Sequence, residues 1–110
     1  KRDSVICQVM AERALGLTTK RVVEESKMSG APGAATSIFK LVGSSLTKSG
    51  SELKSQLRGT AGLVWDSEDF DQDELDSTRG WLRDRAVTIY GGTNEVQQNI
   101  IAKRVLGLPD

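Results

Sequence analysis

Apolar residues recur at helical spacing along the first quarter of the chain: Ile6, Val9, Met10, Leu17 and Val22 fall into register between Ser4 and about Lys27. Asp3 or Ser4 stands where an N-cap is needed, so this stretch predicts one long amphipathic helix. The run Ser29-Gly30-Ala31-Pro32-Gly33 punctuates the chain, and Ile38, Leu41, Val42, Leu46, Leu53 and Leu57 then resume a helical stripe until Gly59 and Gly62 close it. Gly43, Gly50 and several serines weaken that second segment by about 1 kcal/mol per glycine, so it must draw on tertiary packing. A polar connection from Asp66 to Asp76 follows, after which Leu75, Leu82, Ala86 and Ile89 share a helical face. The last run, Val96, Ile100, Ile101 and Val105, predicts a fourth helix with Thr93 as its N-cap, Gly107 as its stop and Pro109 beyond.

Four helical segments without period-2 alternation define an all-α chain, and the simplest architecture is an up-and-down four-helix bundle. A length of 110 residues allows one domain, spanning 1–110, with a modest core. The chain opens on Lys1 and not on methionine, which points to a piece of a longer polypeptide.

Charge narrows the function classes. Fifteen Lys and Arg balance fifteen Asp and Glu, so global charge selects neither nucleic acid nor a membrane surface. No apolar run approaches the roughly 18 residues needed to span a bilayer. The lone Cys7 cannot form an internal disulfide and lies in an apolar-periodic stretch, which predicts a buried structural thiol in a reducing, cytoplasmic setting. The absence of histidine removes Ser-His and Cys-His catalysis and the usual zinc ligands.

The acidic connection invites a calcium reading, because Asp66, Glu68, Asp69, Asp71, Asp73, Glu74 and Asp76 crowd together. Its spacing fails: an EF-hand begun at Asp69 puts Glu74 where the turn glycine belongs and Gly80 where the bidentate glutamate belongs. No metal site is expected. The run reads as a solvated face whose repulsion Arg79, Arg83 and Arg85 partly offset. Trp65 and Trp81, which bracket it, read as core or subunit-interface anchors in preference to a ligand-stacking pair. No carboxylate pair stands at an acid/base spacing.

Gly91-Gly92-Thr93 carries the chemistry that remains. Two glycines let backbone approach a ligand closely, and a helix beginning at Thr93 offers unpaired amides and the positive end of a dipole to an anion. An ordinary helix cap at a tight turn is the commoner meaning of this pattern.

Taken together, Ser37-Ile38-Phe39-Lys40, Gly59-Thr60-Ala61-Gly62-Leu63 and the segment from Arg85 to Pro109, with Ile89-Tyr90-Gly91-Gly92-Thr93-Asn94-Glu95-Val96-Gln97 its most specific part, resemble the C-terminal α-helical domain of the acyl-CoA dehydrogenases. The resemblance covers nearly the whole chain. In that family FAD lies between a middle β domain and the C-terminal domain, with contacts from a neighbouring subunit. The resemblance implies that Thr93, Asn94 and Glu95 hold the pyrophosphate region of FAD and that Gly92 lies beside the acyl-CoA thioester. It further implies a homo- or hetero-oligomer, a dimer or tetramer, and an electron-transfer acceptor.

Two positions depart from the family pattern. Gly91 aligns with the glutamate that removes the α-proton in many members, and a glycine cannot accept a proton. Some members carry that base on an earlier helix, which would lie upstream of Lys1, and some bacterial members pair a catalytic subunit with one lacking the base. The acidic connection replaces a Gln-x-x-Gly-Gly-x-Gly stretch that touches the flavin of the adjacent subunit, although a bacterial subgroup ending in Gly-Leu-Pro resembles this chain in lacking it. The resemblance therefore implies α,β-dehydrogenation of an acyl-CoA thioester by a longer chain, with the isolated 110 residues inactive. The alternatives are a non-catalytic subunit of a heteromeric dehydrogenase and a helical interaction module without flavin.

Overall fold

The computed structural model describes residues 1–29 and 35–109. The punctuating Gly30-Ala31-Pro32-Gly33 lies outside the described residues. Four α-helices appear in chain order: α1 (Arg2–Ser29), α2 (Ala35–Arg58), α3 (Gln72–Arg83) and α4 (Asn94–Ile100). A 3₁₀ segment, Gly59–Leu63, follows α2; another, Asp84–Thr88, follows α3; and a π turn, Ile101–Val105, extends α4. No strand occurs among the described residues, so the all-α class and the four-helix arrangement stand.

The second helix is the axis of the arrangement. α1 runs antiparallel to it: Lys1 Nζ donates to the carbonyl of Gln56, and Gln8 Nε2 donates to that of Leu46 at 2.9 Å. The two weak glycines of α2 lie at this contact, Gly43 against the Leu15 side chain and Gly50 against the Gln8 and Glu12 side chains. What Gly43 and Gly50 cost in propensity is offset by close helix approach. α3 returns along the other side of α2, with Arg58 paired to Glu74 at 3.5 Å and Arg85 to Glu52 at 3.4 Å.

At the turn between α2 and α3 the fit leaves no room for a side chain. Ser55 Oγ and Thr78 Oγ1 both donate to the carbonyl of Gly62, at 2.9 and 3.2 Å, and a Cβ on Gly62 would collide with the Ser55 backbone. All three residues are buried, so the bonds close a buried polar layer at the end of the bundle. Leu75 packs into the same region at 6% exposure.

Several expectations need correction. Cys7 is exposed, because the face of α1 that meets α2 is set by Gln8, Glu12 and Leu15, and Cys7 lies off that face. Ile6, Met10 and Leu17 are exposed as well, and Val9 lines an open groove between α1 and α2 without being buried. The acidic connection is shorter than read: Asp71 caps α3, accepting from the Glu74 amide at 2.8 Å while Glu74 accepts from the Asp71 amide, a reciprocal capping box. Arg79 answers Asp66 and Asp76, whereas Arg85 turns to Glu52 on α2. Ala86 and Ile89 do not continue the face of Leu75, since the chain tightens to 3₁₀ at Asp84 and leaves Ile89 exposed. Trp65 is not a core residue; it is exposed under the Arg79 guanidinium, while half-buried Trp81 lies under that of Arg85.

Among the described residues no helix is long and apolar enough to cross a membrane, and no three His, Cys, Asp or Glu side chains group as metal ligands.

Candidate functional site

The 3₁₀ segment Asp84–Thr88 leads into a turn whose backbone favours glycine. Gly91 and Gly92 both have positive φ, at 69° and 92°, a left-handed region closed to most side chains. Thr93 then returns to extended backbone as the N-cap of α4, its Oγ1 accepting from the Val96 amide at 3.3 Å. The cap expected at Thr93 is therefore formed.

Each expected ligand residue can now be placed. Gly92 stands at the centre of the turn, where a Cβ would meet the Gln97 amide nitrogen at 2.5 Å. Thr93 and Glu95 are brought together: the Glu95 carboxylate is held below the usual glutamate range chiefly by its own backbone amide and secondly by the Thr93 hydroxyl. The first turn of α4 thus carries a fully exposed internal carboxylate at its positive end. Asn94 faces the other way, its Oδ1 accepting from the buried Ser44 Oγ of α2 at 3.3 Å. Gly91, at the expected place of a glutamate base, presents no side chain, and the Lys40 Cε lies 3.3 Å from where a Cβ would stand.

The turn has three supports that the residue pattern did not assign. Lys40 Nζ donates to the Val87 carbonyl at 2.8 Å and lies 5.9 Å from the Tyr90 ring centroid. Ser44, one helical turn further along α2, reaches Asn94. Gln97, only 7% exposed, donates from Nε2 to the Gly91 carbonyl at 3.1 Å. Two signals in the sequence mark them. Lys40 and Ser44 share a helix face at i, i+4, and Gln97 is a polar residue among the apolar Val96, Ile100 and Ile101.

Beyond the site, α4 ends as read: the Leu106 and Leu108 amides donate to the Ile101 and Ala102 carbonyls, and Gly107 takes a φ of 65°. The hydrophobic residues flanking the turn, Ile89, Tyr90 and Val96, stay open to solvent at 65%, 63% and 46%. The backbone turn thus sits beside an exposed apolar surface.

The family model described as acyl-CoA dehydrogenase, C-terminal domain, matches residues 5–106. The chain belongs to the acyl-CoA dehydrogenase family. Its similar curated relatives include acyl-CoA dehydrogenase IpdE1 of Mycolicibacterium smegmatis, 35% identical over 97% of this chain and 26% of the relative. IpdE1 of Mycobacterium tuberculosis is 35% identical over 97% of this chain and 28% of its own length. Acyl-CoA dehydrogenase FadE34 of Mycobacterium tuberculosis is 29% identical over 92% of this chain and 13% of its own. The chain thus spans about a quarter of the IpdE1 relatives it matches, and no solved structure gives a significant match. Acyl-CoA dehydrogenases are oxidoreductases and generally depend on FAD.

Proposed function

We propose that residues 1–110 are the C-terminal domain of a longer, FAD-dependent acyl-CoA dehydrogenase of the cytoplasm, which oxidises the α,β bond of an acyl-CoA thioester. The observation that carries this reading is the pair of left-handed glycines leading directly into the Thr93 cap. This backbone carries no side chain at positions 91 and 92, and is fixed at Val87, Gly91 and Asn94 by side-chain bonds.

The donor set fits a flavin diphosphate in part. Thr93 Oγ1 and the amides at the start of α4 would contact the diphosphate, and the Gly92 backbone would lie beside the thioester. Glu95 is the residue at odds with an anion, and because it is fully exposed it can rotate into water when a diphosphate takes its amide partner. FAD, when bound, supplies the acceptor for the hydride leaving the β-carbon. This chain's residues bind and orient; the α-proton requires a base from outside the 110 residues, and the domain alone is inactive. The exposed apolar faces of α1 and of the Ile89, Tyr90 and Val96 surface would be covered by the rest of the chain or by a second subunit of a dimer or tetramer, and an electron-transfer acceptor would reoxidise the flavin.

One observation favours a second reading. Lys40 occupies the space that a side chain at position 91 would enter, so this domain equally suits the non-catalytic subunit of a heteromeric dehydrogenase. Gly92→Ala and Thr93→Ala in the full-length protein test the first reading: both should release flavin during gel filtration while the fold survives. Full flavin retention in both variants would contradict it.

A further inference from the structure

We propose that Gln97 and Lys40 are the positioning residues of the Gly91–Gly92 turn, holding it from opposite sides so that its backbone meets the thioester in one orientation. The proposal rests on the dehydrogenase reading for its substrate, but its geometry belongs to the chain alone.

A turn of two left-handed glycines is intrinsically loose. Glycine samples positive and negative φ almost equally, so nothing in residues 91 and 92 themselves selects the observed conformation. Selection must come from neighbours, and Gln97 does it twice over. Its Nε2 donates to the Gly91 carbonyl at 3.1 Å, which fixes the orientation of the peptide between the two glycines. The same amide fills the space beside Gly92, at 2.5 Å from an ideal Cβ, so only glycine fits there while Gln97 is in place. Gln97 is one turn into α4 and 7% exposed, and its own amide bonds to the Thr93 carbonyl at 2.9 Å, so it has little freedom to move away.

Lys40 holds the other flank. Its ammonium donates at 2.8 Å to Val87, whose carbonyl lies at the end of the 3₁₀ segment that feeds the turn. Its Cε limits the turn at Gly91, and its charge lies near the Tyr90 ring. With α2 as the rigid body behind Lys40, and α4 behind Gln97, the five residues from Val87 to Gly91 are fastened at both ends. A thioester placed against Gly92 inherits that rigidity.

The test uses full-length protein bearing Gln97→Glu, which keeps size but replaces the donor with an acceptor, and Lys40→Met, which keeps the chain but removes the ammonium. Amide deuterium exchange over residues 89–96 should quicken in both, with the unfolding midpoint and flavin content near wild type. Turnover should fall about tenfold to a hundredfold, with KM for acyl-CoA changed less than about twofold, because misplacement affects the reacting geometry more than affinity. Lys40→Arg should restore most of the turnover. Unchanged exchange in either folded variant would overturn the proposal, as would faster exchange with unchanged turnover. If Gln97→Glu does not fold, Lys40→Met decides the matter. A wild-type protein without flavin or turnover would defeat the dehydrogenase reading instead, and the exchange data would still decide whether the turn is held in this way.

Discussion

Lys40 lies against Gly91, its Cε 3.3 Å from the point where a Cβ on residue 91 would project. The relationship bears on whether position 91 could carry the base that the proposed function requires. A glutamate at 91 would have to adopt a φ of 69°, costing about 1–2 kcal/mol for an L-residue, and displace the lysine stem. Its carboxylate would also lie near an ammonium, which favours the ionised form and weakens it as a proton acceptor. Gly91→Glu in the full-length protein should therefore lower the unfolding free energy by about 1–2 kcal/mol and fail to raise turnover. A clear gain in turnover would show that position 91 can still serve as the base site.

Gly62 has the least room for a side chain among the described glycines. With Ser55 and Thr78 both donating to its carbonyl and the Ser55 backbone against its Cα, Gly62→Ala should cost about 2–3 kcal/mol in urea unfolding. A change below about 0.5 kcal/mol would mean that the α2–α3 junction can relax.

The α3 capping box is a local and separable contribution. Asp71→Ala removes the acceptor for the Glu74 amide and should destabilise by about 1 kcal/mol without altering flavin content. Thr93→Ala should cost a similar amount, about 1 kcal/mol, but is expected to weaken flavin retention as well. Equal flavin loss in both variants would assign the effect to general destabilisation.

Glu95 gives the site a pH signature. Its carboxyl is held below the ordinary 4.5, first by its own amide and then by Thr93, so it binds protons less readily folded than unfolded. The stability it contributes is present above 4.5 and is lost as the pH falls through the lowered folded value. Glu95→Gln should thus melt slightly below wild type at neutral pH, and the two melting temperatures should converge in strong acid. A difference that does not change with pH would show that the carboxylate makes no folded-state bond.

The helices were legible because their apolar periods and glycine stops are local signals. Thr93, Gly107 and the Gly59–Gly62 stop could be read from residue type alone, as could the all-α class. The packing face of α1 could not, because Gln8 is polar and still forms the contact with Leu46 and Ser49, while the more apolar Met10 is largely exposed. Periodicity identifies which side chains avoid water, and not which surface meets them. Asp71 and Glu74 belong to a charge run by composition, and only the fold distinguishes the capping box within it that starts α3 at Gln72. Within the site, Thr93 was legible as a cap; the roles of Lys40 and Ser44 were not, since each reaches from α2 to a segment distant in sequence, and that of Gln97 was not, since its bond to Gly91 depends on how the glycine turn folds back.

The most direct test of the central claim is the visible absorption spectrum of the native full-length protein, recorded before and after adding acyl-CoA. The account predicts flavin bands that bleach on addition, in a chain several times longer than these 110 residues. A native protein of this length with no flavin bands would contradict it.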